Sequence, residues 1–238
     1  MKVKHCLMAA ALFVGFAVSA EENALIGHWP LNEGEGVEIK DACGKNDGKL
    51  CRPENSQWVE GRDGGKALKF SGEKGKGAYV VTGKLPEGTF TKGFTLMMWF
   101  KPDGKLFKRN SIWTLACSGR GAKGFMMGIH YQRLLLGGNG NQYNCHAASV
   151  YGKNPFKGDE WVHFAASHDG DKTFKVYIDG ALAGVSTEKL SGPVVPGLNE
   201  LCLGSQFGWG AAQGAMSDVK LFSRVLTDAE ILKEMQGE

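Results

Sequence analysis

Short apolar runs separated by glycine follow one another along most of this chain, and this pattern predicts an all-β fold. The clearest run, residues 94–101, alternates large apolar side chains on one side of a strand with Met97 and Trp99 on the other. A strand that is apolar on both sides is covered on both sides, so this run predicts a central strand. Residues 174–178 form another run that ends at Asp179-Gly180, a sequence typical of a tight hairpin turn.

Eleven runs of this kind predict strands, and one segment near the end predicts a helix. The predicted strands are Leu25–Leu31, Ala67–Phe70, Ala78–Thr82, Phe94–Lys101, Ser111–Cys117, Phe125–His130, Leu134–Leu136, Trp161–His168, Phe174–Ile178, Glu200–Leu203 and Ala215–Phe222. Thr227 and Glu230 have the spacing of a capping box, and an apolar stripe follows them. We therefore predict an all-β domain, a two-sheet antiparallel β-sandwich or jelly roll, with one short C-terminal helix.

The first 20 residues have the features of a secretory signal peptide. Lys2 and Lys4 precede an apolar run of 12 residues, and Val18-Ser19-Ala20 supplies the small residues of a cleavage site. The run is too short to span a bilayer, which needs about 20 apolar residues. We expect cleavage, a mature domain of residues 21–238 with no membrane insertion, and a secreted or periplasmic location.

The charge balance of the expected mature chain argues against nucleic acids and anionic membranes as partners. Loss of Lys2 and Lys4 leaves 26 basic and 25 acidic residues. A nearly neutral domain lacks the basic surface that nucleic acids and anionic membranes require, so we expect no nucleic acid partner.

Five cysteines remain after the signal segment, and export makes disulfides feasible. Cys43 and Cys51 flank a glycine-rich turn and are candidates for one disulfide. Cys117 and Cys145 lie on predicted neighbouring strands and are candidates for a second, which leaves Cys202 unpaired. Spacing alone does not fix the connectivity.

Six segments, in order, resemble the laminin G-like family of concanavalin A-like domains. They are GHWPLNEGEG (27–36), WVEGRDGGKALKF (58–70), FTLMMWFKP (94–102), WVHFA (161–165), VYIDG (176–180) and GAMSDVKLFSRVLTDAEI (214–231). The resemblance implies a sandwich of two curved antiparallel sheets. Members are often carbohydrate-binding or adhesive, many hold one structural calcium ion, and the same fold also hosts glycosidases and lyases.

The resemblance and the acidic residues together suggest a calcium site. Calcium takes six to eight oxygen ligands from carboxylates and loop carbonyls. Asp41 with the carbonyls of its following loop, Asp47, and Asp218 of the closing strand are the expected ligands. The chain departs from the family pattern at Ser71 and Ser217, where the family often has acidic residues. The alternative interpretation is that Asp41 and Asp47 form Asx-type turns.

A polar loop and an isolated tryptophan suggest where a glycan could bind. Four tryptophans fall in the family segments and are expected to pack in the core, whereas Trp113 and Trp209 fall outside them. We expect a shallow glycan site at these residues: Trp209, Tyr143, Asn141, Gln142 and Arg120. The alternative is that these are ordinary loop residues.

No motif in the sequence supports catalysis. Glu33, Glu35 and Glu38 have the spacing of a glycosidase strand, but the glycines between them disfavour a strand. We therefore expect a non-catalytic, lectin-like module that binds a glycan or polysaccharide. The alternatives are a protein–protein adhesion or assembly module that binds another extracellular protein and, third, a glycan-cleaving enzyme.

Overall fold

The fold was analysed in a computed structural model of the chain. The structure describes residues 24–71, 75–104, 112–119, 124–130, 133–138, 148–149, 158–186, 199–208 and 210–237. The predicted signal peptide lies outside these residues. Within the described ranges, no helix is both long and apolar enough to cross a membrane.

The described residues form sixteen strands and two helical segments. The strands are β1 (Leu25–Trp29), β2 (Glu38–Ile39), β3 (Gly48–Cys51), β4 (Ser56–Glu60), β5 (Lys66–Ser71), β6 (Tyr79–Val81), β7 (Phe94–Pro102), β8 (Ile112–Cys117), β9 (Phe125–His130), β10 (Arg133–Gly138), β11 (Ala148–Ser149), β12 (Val162–His168), β13 (Phe174–Ile178), β14 (Ala181–Ser186), β15 (Cys202–Leu203) and β16 (Gln213–Phe222). A 3-10 turn covers Pro53–Asn55, and helix α1 covers Asp228–Gln236.

The strands form two antiparallel sheets, so the predicted fold class is confirmed. In the first sheet the order is β14-β13-β12-β7-β16-β5-β4, and β1 also pairs with β16. In the second sheet the order is β11-β10-β9-β8-β15-β6-β3-β2. The hairpin predicted at Asp179-Gly180 joins β13 to β14, and both turn residues have positive φ angles of 48° and 75°, as a type I′ turn requires.

The main core lies between the two sheets. Alternate residues of β7, among them Phe94, Leu96 and Phe100, are buried in it and pack against the facing strands of the second sheet. Trp113, which falls outside the family segments, is 4% exposed and packs edge-on against Phe100 in this core. A core position therefore accounts for Trp113.

Helix α1 covers part of the outer face of the first sheet, the face directed away from the core. Met97, Tyr177 and Ile231 belong to a second buried cluster at this contact. The predicted capping box is present, with the Thr227 side chain and the Glu230 side chain bonded to each other's backbone N–H groups. The strand 94–101 is thus covered on both faces, as predicted, and the rest of the outer face carries the candidate site.

Candidate functional site

A groove of about 450 Å³ lies on the outer face of the first sheet, beyond the part that α1 covers. Its apolar and backbone lining comes from the ends of β4, β7 and β16. Its polar side chains are Glu60, Lys69, Lys101, Asp103 and Asp159. The groove therefore offers hydrogen-bond donors and acceptors from β4, β5 and β7 of one sheet and from two aspartates just outside its strands.

The small side chain of Ala215 on β16 keeps the floor of this groove low. Ala215 lies opposite Lys69 on one neighbouring strand and Lys101 on the other. Gly214 contributes only backbone to the groove, because a Cβ atom there would be directed toward the core side chain of Phe100, 2.7 Å away. The floor is consequently backbone and one methyl group, flanked by longer polar side chains.

One end of the groove is a corner formed by the end of β7 and residues 158–160. Asp103 forms a salt bridge of 3.0 Å with Lys69, and its N–H donates to the carbonyl of Gln213. The N–H of Gly104 donates to the carboxylate of Asp159 over 3.3 Å. These bonds hold both carboxylates at the rim of the groove.

On the same face of β7, Trp99 precedes Lys101 by two positions. The guanidinium of Arg62, from the β4–β5 turn, stacks over the Trp99 ring at 4.2 Å from its centre. His163 of β12 lies opposite Trp99, and the ring centres are 5.1 Å apart. Trp99 was expected to pack in the core, but the pleat of β7 places it on the outer face, where it is half-buried.

His163 is 2% exposed, and its Nδ1 atom has no hydrogen-bond partner among the described residues. Burial lowers its pKa to about 4, so the ring is neutral at pH 7. The Nε1 atom of Trp99 is likewise buried and without a partner in this part of the chain. The His163 ring is thus packed against Trp99, and its Nδ1 atom makes no hydrogen bond within the described residues.

A bulge in β16 places Asp218 beside His163 and Trp99. Asp218 has a φ of 51°, and the pairing of β16 with β7 shifts register between Ser217 and Lys220. The Asp218 carboxylate lies 2.6 Å from Nε2 of His28 on β1. Burial acts to raise the pKa of Asp218, but the bond from His28 and the Lys220 ammonium outweigh it and keep this pKa below its usual range.

The first expected calcium ligand, Asp41, is enclosed by its own loop. Its carboxylate accepts hydrogen bonds from the backbone N–H groups of His28 (2.8 Å), Cys43 (3.0 Å), Lys45 (3.3 Å) and Asn46 (3.0 Å) and from the Asn46 amide. Burial acts to raise the pKa of Asp41, but the backbone donors lower it overall. These N–H groups occupy the positions that a cation would need.

The other two expected ligands are also bonded to protein groups. Asp47 accepts from Lys40 Nζ at 2.6 Å and from the Asp41 N–H at 2.9 Å, whereas Asp218 faces His28. Within the described ranges, no group of three or more histidine, cysteine or acidic side chains is arranged to hold a metal ion. Asp41, Asp47 and Asp218 in this arrangement do not fit a calcium ion, and the Cys43 N–H bond is the Asx turn of the alternative interpretation.

The residues predicted to bind glycan lie outside the described part of the chain; they are Trp209, Tyr143, Asn141, Gln142 and Arg120. The glycan site expected at these loop residues therefore stays a prediction. The groove was not predicted, because its lysines and acids come from β4, β5 and β7 and from two positions outside the strands, Asp103 and Asp159, which are spread over residues 60–159. The resemblance to the 58–70 segment did include Arg62 and Lys69, but gave them no role.

The two predicted disulfides involve four cysteines, three of which lie in the described part of the chain. Cys43 and Cys51 are both free thiols in the structure, so the pairing expected across the glycine-rich turn is not formed there. Cys51 ends β3 and its thiol is directed toward the Lys49 carbonyl, whereas Cys43 belongs to the loop around Asp41. Cys117 is a free, buried thiol, and its expected partner Cys145 lies outside the described residues.

A sequence profile described as the concanavalin A-like lectin/glucanases superfamily matches residues 74–232. The chain belongs to this superfamily. No match was found among curated protein sequences.

Solved structures confirm that this superfamily member has the jelly-roll fold. The binding domain of botulinum neurotoxin DC, solved in complex with SialylT, is similar with a TM-score of 0.69 and 13% identity, over 90% of this chain and 52% of the other. The same toxin domain in complex with rat synaptotagmin II gives a TM-score of 0.68 and 13% identity, over 90% and 51% of the two chains. This superfamily member thus spans about half the length of the solved chains it matches.

Proposed function

We propose that this chain is an exported, non-catalytic carbohydrate-binding module that holds a glycan in the groove on the outer face of the first sheet. The observation that carries the proposal is the groove itself, with two lysines on strands that both pair with β16 and with carboxylates held at its rim. Sugars are recognised through directional hydrogen bonds from such groups, and rigid strands lower the entropy cost of holding them in place. A toxin domain with the same fold, solved in complex with SialylT, supports a glycan as ligand.

The contacts within the groove favour binding over hydrolysis. Glycoside hydrolysis requires two carboxyl groups flanking the bond, one as an acid and one as a nucleophile or base. In this groove the Asp103 carboxylate is engaged by Lys69, and the Asp159 carboxylate accepts a backbone hydrogen bond at the rim. These interactions suit groups that position hydroxyls.

A second candidate, a protein-binding module, is supported by a different surface. Leu182 and Val185 on the edge strand β14 are 45% and 50% exposed, and Leu232 on α1 is 42% exposed. Helix α1 contacts β14, so these side chains lie in the same region of the surface. The similarity to a toxin domain in complex with synaptotagmin II is consistent with such a role.

A glycan array on the purified chain distinguishes these candidates. Lys101→Ala removes one donor and Ala215→Leu fills the floor, and each is expected to reduce glycan binding at least tenfold, because one well-placed contact is worth about 1.4 kcal/mol. Lys175→Ala removes a charge from the same sheet far from the groove and serves as the matched control.

Other results of this experiment would support one of the alternative sites or functions. Loss of binding on Trp209→Ala with no effect of the groove variants would place the glycan at the loop site predicted from the sequence. Release of reducing ends from a bound glycan would establish an enzyme. Absence of binding by folded protein would favour the protein-binding candidate.

A further inference from the structure

Cys117 and Cys202 lie directly opposite each other on neighbouring strands of the second sheet. The antiparallel register of β8 and β15 pairs these two residues, and pairs Ala116 with Leu203. Directly opposite residues in such a ladder have Cα atoms about 4.5–5.5 Å apart. A disulfide requires about 4.4–6.8 Å between Cα atoms, so the backbone need not move to join this pair.

The two side chains also share one face and one contact. Ala116 and Leu203 belong to the core between the sheets, so the cysteines beside them are directed to the opposite face. Both cysteines are fully buried, and their sulfur atoms lie 3.8 Å and 3.0 Å from the carbonyl oxygen of Ser205. The two thiols therefore meet beneath the same stretch of chain.

Neither of the other described cysteines is placed to compete. Cys51 is on β3, and β6 lies between β3 and β15. Two strand spacings separate Cys51 from Cys202 by about 9–10 Å, beyond the roughly 7 Å limit for a disulfide. Cys43 is held in the loop around Asp41. Among the described residues, Cys117 and Cys202 are the one pair of cysteines on adjacent strands.

The surroundings of the pair indicate when a bond would form. Burial raises the pKa of Cys202 well above its usual value, and the Cys117 thiol raises it further. The thiolate is the reactive form, so the folded, reduced pair reacts slowly. Exchange is faster while β8 and β15 are still pairing and the thiols remain accessible.

We propose that Cys117 and Cys202 form a cross-strand disulfide when the chain folds in an oxidising compartment, with a small organic disulfide as the oxidant. The first cysteine attacks this disulfide and displaces one thiol, and the second cysteine displaces the other thiol from the mixed disulfide. Two electrons pass from the cysteines to the oxidant, and both cysteine protons leave on the two released thiols. This pairing replaces the one expected between Cys117 and Cys145.

The test is disulfide mapping of the full-length chain. The chain is reduced and unfolded, refolded with oxidised and reduced glutathione, and then denatured with an alkylating agent present. We expect one linked peptide pair that contains Cys117 and Cys202, and alkylation of the other four of the six cysteines. Both residues alkylated, or either one linked to Cys145 or Cys51, would overturn the proposal.

Variants give a second measurement that does not depend on peptide recovery. Cys202→Ser should leave Cys117 reactive, so the number of alkylated thiols rises by one. Cys51→Ser, a substitution on the same sheet, should lower that number by one and leave the linked pair intact. A number that falls by one for Cys202→Ser would show that Cys202 is a free thiol in the wild type and would overturn the proposal. The wild-type map decides the proposal even if a variant does not fold.

Discussion

The guanidinium of Arg62 covers one face of the Trp99 ring, at 4.2 Å from the ring centre. Replacing it by alanine should expose the ring and lower the free energy of unfolding by about 0.5–1 kcal/mol, the usual worth of a cation–π contact. Iodide quenching of tryptophan fluorescence should rise. Lys66→Ala, which removes a charge from the same β4–β5 hairpin, is the control. Equal quenching in the two variants would show that Arg62 does not shield Trp99.

The Asp41 carboxylate holds its loop through backbone N–H donors. In Asp41→Asn, the side-chain NH2 group replaces one carboxylate oxygen and cannot accept hydrogen bonds from these N–H groups. Buried polar groups are then left without a hydrogen-bond partner. We expect a loss of about 2 kcal/mol in the free energy of unfolding, since bonds to charged groups contribute roughly 1.5–3 kcal/mol. Urea denaturation measures this loss. Asp63→Asn, on an exposed turn, should leave the midpoint unchanged, and an equal midpoint for both variants would refute the assigned role of Asp41.

The same geometry predicts how the protein responds to calcium. Because Asp41, Asp47 and Asp218 are bonded to donors of the protein, addition of calcium or of a chelator should leave the melting temperature unchanged. A bound ion would stabilise the folded state in proportion to its concentration relative to its dissociation constant. A melting temperature that rises with calcium and falls with chelator would restore the calcium prediction.

Burial of neutral His163 makes stability depend on pH. Its pKa is about 4 in the folded state against an ordinary value of 6.5, so the unfolded chain binds more protons between these values. The stabilisation is therefore complete above pH 6.5 and is lost as the pH falls toward 4, by up to ~3 kcal/mol. His168, whose pKa is also lowered by burial, acts in the same direction.

Urea denaturation at several pH values between 4.5 and 7 measures this dependence. His163→Phe keeps a ring against Trp99 and removes the titrating group, so its stability should fall less steeply with decreasing pH than that of the wild type. Part of the slope should remain because His168 is unchanged. Identical slopes in the two proteins would exclude His163 as a source.

The strands that alternate strongly in hydrophobicity could be predicted from the sequence. The two-sided pattern of residues 94–101 reflects the core on one face and α1 on the other, and both contacts were found. The cap at Thr227 was predicted as well, because a capping box is a local signal within four residues. Strand β4 was missed, since its burial follows no simple alternation.

The site was harder to predict than the fold for a physical reason. Lys69, Lys101 and Ala215 meet because β5, β16 and β7 are neighbours, and that order is not encoded in any short segment. The sequence pattern placed Trp99 on the face of β7 opposite Phe94, Leu96 and Phe100, but it did not reveal that this part of the face is only partly covered, so Trp99 is half-buried. Trp113 fell outside the family segments, and the structure shows that it is buried in the core.

The position of β16 has a consequence for biosynthesis. This strand is near the end of the chain, yet it lies in the interior of the first sheet, paired with β7 on one side and with β5 and β1 on the other. Strand β1 therefore cannot pair with β16 until the ribosome has synthesised almost 200 further residues. Long-range pairing of this kind slows folding. The first sheet can consequently be completed only when synthesis of the chain is almost finished.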